Sequence, residues 1–206
     1  MRLASDAMAL TLDACGGGTD TRILNALLER GIPTTIFATA LWIRANPEPV
    51  QILLAHPSQF SVQNHGERHL PAVLGSQPIY GLAPAGTLDA IKREVERGAE
   101  AITAAGFPAP AWYRCATARY SPEAIDLITP LGFQVAGFSV NADAGASLPA
   151  SSVMRHIEAA TTGDVIIAHI NQPRRASGAG VASAIATLAP PRFVTLAGSQ
   201  TTAVGN

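Results

Sequence analysis

Short apolar, β-branched runs alternate along the chain with longer segments whose apolar residues recur at helical spacing. Ala9-Leu10-Thr11-Leu12 opens the series, and from Arg22 to Arg30 the residues Ile23, Leu24, Leu27 and Leu28 form one helical stripe that Gly31 stops. Pro33 to Ala38 and Gln59 to Val62 read as the next strands, with a helix from Pro47 to Ala55 between them. A long helix over Thr87 to Ala105 ends at Gly106, and Ala111-Trp112-Tyr113 is a strand. Ser121-Pro122-Glu123 starts a further helix, with Ser as cap and Pro at the first helical position. Phe133 to Phe138, Asp164 to Ala168 and Arg192 to Leu196 complete about seven strands, with helices at Ser152 to Ala160 and Gly180 to Leu188. Strands separated by helices predict an α/β fold with a mostly parallel sheet, closed or nearly closed into a (β/α) barrel. The stretch from Gln77 to Gly86, rich in Pro, Ala and Gly, reads as a surface loop.

Composition narrows the classes. At 206 residues and 48% hydrophobic the chain can bury one good core, and with no repeat or linker it reads as a single domain over 1–206. A formal net charge of −1 gives no basic footprint for nucleic acid, so a neutral or weakly charged substrate is expected. No apolar run reaches the roughly 18 residues needed to cross a bilayer, and the N-terminus shows no signal-peptide core. Two cysteines, Cys15 and Cys115, are too few for a disulfide scaffold or a zinc ribbon.

The chemistry gathers where strands end. His65 and His69 lie four residues apart, a spacing that on a helical turn shares one face and can close on a divalent metal ion. Other runs end at Asp13, Arg114 and His169. In a parallel α/β sheet all five fall at the C-terminal strand ends, where active sites are built. Together they suit hydrolysis: a carboxylate to accept a proton from water, an imidazole to protonate the leaving group, and a metal to polarise a carbonyl. Each residue also has a plainer role open to it. Asp13 can cap the glycine turn that follows, His169 can be a satisfied histidine at a strand end, and Arg114 can be a structural ion-pair partner. His56 and His156 match no pattern. Gly16-Gly17-Gly18 lacks the Lys-Ser/Thr of a phosphate loop.

These residues resemble the polysaccharide deacetylases with the NodB homology domain, carbohydrate esterase family 4, over nearly the whole chain. Thr11-Leu12-Asp13-Ala14-Cys15 is similar to the family's Thr-Phe-Asp-Asp-Gly, and His65-Gly66-Glu67-Arg68-His69 to its His-Ser/Thr-x-x-His. Trp112-Tyr113-Arg114 and Ile166-Ile167-Ala168-His169 match two later motifs, and Asn141-Ala142-Asp143-Ala144-Gly145 echoes Asp-x-x-Asp-Trp loosely. The resemblance implies a NodB-like distorted barrel and removal of acetyl groups from an N- or O-acetylated sugar polymer, a hydrolysis of non-peptide carbon-nitrogen bonds in the first case. It implies Asp13 as base, His169 as acid, Arg114 as the group that orients Asp13, and His65 and His69 as ligands of a divalent metal, zinc being expected. Where the family carries its metal-binding Asp this chain has Ala14, so one protein ligand is missing and a carboxylate restored there should raise metal affinity. Trp112 and Tyr113 are the expected sugar platform. If Arg114 meets Asp13, Cys15 and Cys115 approach one another as a candidate redox pair. The family implies a periplasmic or extracellular setting. Two other functions stay open: a catalytically weak carbohydrate-binding relative, and a metal-independent hydrolase of a small cyclic amide.

Overall fold

The structure is a computed structural model and describes residues 1–202. Its centre is β2 (Ala9–Ala14), six residues with every one buried. Parallel neighbours flank it, β3 (Thr34–Ala38) on one side and β8 (Val165–His169) on the other. The sheet continues through β4 (Phe60–Asn64), β5 (Trp112–Tyr113) and β6 (Gln134–Val135) at one edge and ends in β7 (Val140–Asn141) at the other. All pairs in these seven strands are parallel. A separate ribbon pairs β1 (Arg2–Leu3) antiparallel with β9 (Thr201–Thr202).

The sheet must curl. Its two edge strands are joined by Ala136 to Ser139 alone, a link that spans at most about 18 Å when fully extended. Edges so tied bring seven strands round into the nearly closed, distorted barrel expected from the alternation of elements.

The period-2 alternation of a strand sorts its side chains. Leu10, Leu12 and Ala14 of β2 point outward into the main core, which they share with Ile36, Ile166 and the helices. That outer layer includes α1 (Thr21–Arg30) and α7 (Ala176–Thr187). Ala9 faces inward with Phe37 and Trp112, and Thr11 and Asp13 share its parity. Asp20 caps α1 by accepting from Arg22 N, and Gly31 closes that helix in the left-handed region at φ 63°. α2 (Ala40–Ala45), α3 (Pro47–Ala55), α4 (Leu88–Ala104), α5 (Pro122–Ile128) and α6 (Ala150–Glu158) complete the set.

Two expectations fail at one edge. Arg192 to Leu196 forms no strand; Phe193 makes a single bridge with Met8. The seventh strand is instead β7, because the run from Phe133 to Phe138 breaks after Val135 and pairing resumes beyond Ser139. Ser121 precedes α5 as expected, but its hydroxyl accepts from Leu74 N and does not cap the helix.

Candidate active site

Strand register assembles the site. Asp13 and His169 are direct partners across β2 and β8. Asn64 and Tyr113 are partners across β4 and β5, so the next residues, His65 and Arg114, leave the sheet together. Their backbones stay tied, with Arg114 N donating to Asn64 O at 2.9 Å.

Arg114 is fully buried. Its Nη1 donates to Asp13 Oδ1 at 2.8 Å and to Thr11 Oγ1 at 2.9 Å, and Nη2 donates to the Gly137 carbonyl at 3.0 Å. Phe37 supplies a ring face 4.2 Å from the guanidinium carbon. Burial by itself would raise the Asp13 pKa, but Arg114, followed by His65 and His169, holds the carboxyl below the usual range.

His169 has its own carboxylate. Nδ1 lies 2.9 and 3.1 Å from the two oxygens of Asp143, which also accepts from the His169 backbone N at 2.8 Å. Burial would lower the imidazole pKa, yet Asp143 and the neighbouring Cys15 raise it well above the ordinary value. The Asp143 carboxylate thus favours the protonated imidazole, the form a general acid uses.

His65 is oriented from behind. Its Nδ1 lies 2.6 Å from the Arg114 carbonyl, which can only accept, so Nδ1 carries the proton in the neutral ring. That leaves Nε2 facing Cys15 Sγ at 3.5 Å and Asp13 Oδ2 at 3.7 Å. The His65 and His69 rings stand 4.9 Å apart, tilted by 60°. The segment joining them is a loop and not the helical turn their spacing suggested; Gly66 and His69 take positive φ, 90° and 65°. α4 braces this loop. Buried Glu94 accepts from Arg68 N at 2.8 Å and Leu70 N at 3.1 Å, while its carbonyl accepts from Glu67 N. Gly98 lets helix and loop touch, since a Cβ there would collide with Asn64 Oδ1 and stand 2.8 Å from Gly66 Cα. That accounts for a glycine inside α4, where it costs about 1 kcal/mol relative to alanine.

Donor atoms of Cys15, His65 and His69 all lie within 4.8 Å of one another. This fits a divalent metal, because two imidazoles and a thiol are common ligands and the Nε2 of His65 is presented by a backbone acceptor on its Nδ1.

Three expectations are corrected. Trp112 and Tyr113 do not line the cleft; parity and packing bury both, with the indole donating to Leu196 O. The exposed aromatic at the cleft is Tyr80, in the loop from Gln77 to Gly86, where Arg119 donates to its hydroxyl at 2.9 Å. Cys15 and Cys115 are not joined. Cys15 turns to His65, whereas Cys115 is buried with its thiol on the Ala116 and Arg119 carbonyls, and burial pushes that thiol up to about 12. Ala14 faces the outer core, so the site's third donor comes from the next residue.

Motif matching missed Asp143 as the partner of His169 and Cys15 as a donor beside His65 and His69. Parity carried the signal for Cys15, since residues two apart on a strand share a face, and Asp13 faces in. Asp143 likewise sits two beyond Asn141, the β7 partner of Ile167, and so opposite His169.

Asp13, Cys15, His69 and His169 open onto one cleft of about 1610 Å³. That exceeds the roughly 300–1,000 Å³ of small-molecule pockets and leaves room for an extended ligand. Arg68, Arg119, Arg174 and Arg175 line it, and Tyr80, Thr117, Ala118 and Ala144, also lining it, take positive φ. Non-glycine residues in that region gather at functional sites.

The fold has known counterparts. A family 4 carbohydrate esterase from Streptomyces lividans in complex with acetate is 20% identical, with a TM-score of 0.72 over 93% of this chain and 92% of that one. The peptidoglycan deacetylase PdaC from Bacillus subtilis is 19% identical, with a TM-score of 0.73 over 95% and 90%. A family 4 pseudoenzyme from Bacillus anthracis is 15% identical, with a TM-score of 0.74 over 96% and 66%. A search of curated proteins gives no match. A family model described as polysaccharide deacetylase matches residues 2–136, more than half of the chain. With that match and the shared fold, the chain belongs to the polysaccharide deacetylase family, as a divergent member with Asp-Ala-Cys at positions 13 to 15.

Proposed function

We propose that this protein is a hydrolase that removes acetyl groups from an acetylated sugar polymer, with Asp13 as base and His169 as acid. The observation that carries the proposal is the pairing of each group with its own partner at one cleft: Asp13 with Arg114, and His169 with Asp143. A base and an acid whose environments push their pKa values apart can act in one turnover. Arg114 occupies Asp13 Oδ1, so Oδ2 is the oxygen left to take a proton from water. Asp143 fixes Nδ1 of His169, so Nε2 is the nitrogen left to protonate the departing amine or alkoxide. His65 and His69 would hold a divalent metal, zinc by preference, which when bound polarises the acetyl carbonyl and acidifies water.

The size of the cleft, with Tyr80 exposed at it, suits a sugar chain, and the lining arginines suit one that also carries negative charge. A periplasmic or extracellular site of action agrees with a structural neighbour that is a peptidoglycan deacetylase. The pseudoenzyme among the neighbours keeps a second reading in play, a carbohydrate-binding relative without turnover.

Acetate release from an N-acetylated oligosaccharide, with and without chelator, separates the readings. Metal-dependent release is the expected result. Release that survives full metal removal would favour a metal-independent hydrolase, and binding without release would favour the carbohydrate-binding reading.

A further inference from the structure

The three-donor cluster answers the loss of the family's metal-binding aspartate. We infer that Cys15 supplies the third protein ligand of the metal site, as a thiolate beside His65 and His69, making this a sulfur-coordinated variant of the centre. The inference rests on the proposed metal-dependent reading and names the ligand set.

Spacing carries it. A tetrahedral zinc with Zn–S near 2.3 Å and Zn–N near 2.0–2.1 Å holds sulfur and nitrogen about 3.6 Å apart. Cys15 Sγ and His65 Nε2 stand 3.5 Å apart, and His69 completes a triangle with no edge above 4.8 Å. The Asp13 carboxylate is not part of that group, and its Oδ1 is held by Arg114, so it stays free for proton transfer. Three ligands plus one open position is the pattern of catalytic zinc.

Two further features support the assignment. His65 donates from Nδ1 to the Arg114 carbonyl, the outer contact that aims a ligating imidazole. Ala14 lies in the apolar outer core, so a carboxylate at that position would not point where the thiol already does. On binding, the metal would displace the proton of Cys15 to solvent. Thiolate ligation favours zinc, cobalt or cadmium over magnesium or manganese.

Cobalt substitution tests the ligand directly. Metal-free protein titrated with Co(II) is expected to develop a sulfur-to-cobalt charge-transfer absorption in the near ultraviolet, saturating with one equivalent. Cys15→Ser is expected to lose that band and to bind Co(II) more weakly by at least the roughly 10- to 100-fold that even an outer partner's loss costs. Cys115→Ser should keep the band, which assigns it to the right sulfur. Because Cys15→Ser could fold poorly, wild type gives a second readout: bound zinc is expected to slow alkylation of Cys15 at least tenfold, as mapped by mass spectrometry. Stoichiometric Co(II) binding without the band would overturn the thiolate assignment while leaving a histidine-based metal site standing. Absence of Co(II) binding would overturn both it and the metal-dependent reading.

Discussion

Arg114→Met isolates the electrostatic core of the site. The substitution keeps most of the apolar stem but removes the guanidinium that holds Asp13 Oδ1 at 2.8 Å, in a pair whose side chains are 0% and 6% exposed. Asp13 is then left buried and ionised without its main partner, which typically costs 3–5 kcal/mol. A second route gives a similar figure. If the orphaned carboxyl escapes by binding a proton, protonating a carboxyl of ordinary pKa, about 3.9, at pH 7 costs near 4 kcal/mol, at about 1.36 kcal/mol per unit. Against a total stability of about 5–15 kcal/mol this is a large share, and it should lower Tm by roughly 6–20 °C for a domain of this size.

The assay is urea unfolding of metal-free protein, followed by circular dichroism, for wild type, Arg114→Met, Asp13→Asn and the double variant. The double variant should be more stable than the sum of the two losses by at least about 2 kcal/mol, because with Asp13 neutral there is no stranded charge. The pH dependence has a definite sign. The folded-state pKa of Asp13 is depressed, so the pair stabilises above the unfolded carboxylate value and that contribution fades as pH falls through the folded one. The contribution of the pair should therefore be lost only as pH falls below the ordinary carboxylate value of about 3.9. A loss below about 1 kcal/mol at pH 7, or simple additivity in the double variant, would refute the buried ion pair.

Other substitutions probe separate parts of the site. His169→Ala should slow hydrolysis of acetamido sugars by about 10²-fold or more and of activated esters far less, since good leaving groups need little protonation; equal losses would make His169 structural. Ala14→Asp should destabilise by roughly 2–5 kcal/mol without tightening metal, because its side chain enters the outer core beside Leu12 and Ile36; tighter zinc binding by calorimetry would show the side chain turning inward. Tyr80→Ala should raise KM for an acetylated oligosaccharide about 5- to 50-fold with kcat nearly unchanged, by loss of a stacking face; an unchanged KM would remove Tyr80 from the substrate path.

Much of this arrangement was legible in the sequence because strand ends are marked by short-range signals. The β-branched and apolar runs located β2, β3, β4 and β8, and with them Asp13, His65 and His169. Arg114 was legible as the residue after Trp112-Tyr113, although β5 is only two residues long. What failed were inferences about facing. Trp112 and Tyr113 looked like a sugar platform because aromatic residues beside an active site often stack on rings, but both side chains pack inside the molecule. Motif alignment marks Ala14 as a lost ligand, whereas pleat parity turns it to the helices and gives the site Cys15. β7 and Asp143 were hidden for another reason. Val140–Asn141 is too short to show alternation, and its pairing with β8 is a long-range contact that no local pattern encodes.

Acetate release by Asp13→Asn measured beside wild type, both loaded with equal metal and confirmed folded, bears most directly on the central claim. The amide preserves shape and can still accept from Arg114, but it cannot take a proton as a carboxylate does. Wild type should deacetylate an N-acetylated oligosaccharide and Asp13→Asn should fall to less than about a hundredth of its rate. An Asp13→Asn rate above about a tenth of wild type, or no release by wild type at all, would contradict the assignment of this cleft as a deacetylase site with Asp13 as its base.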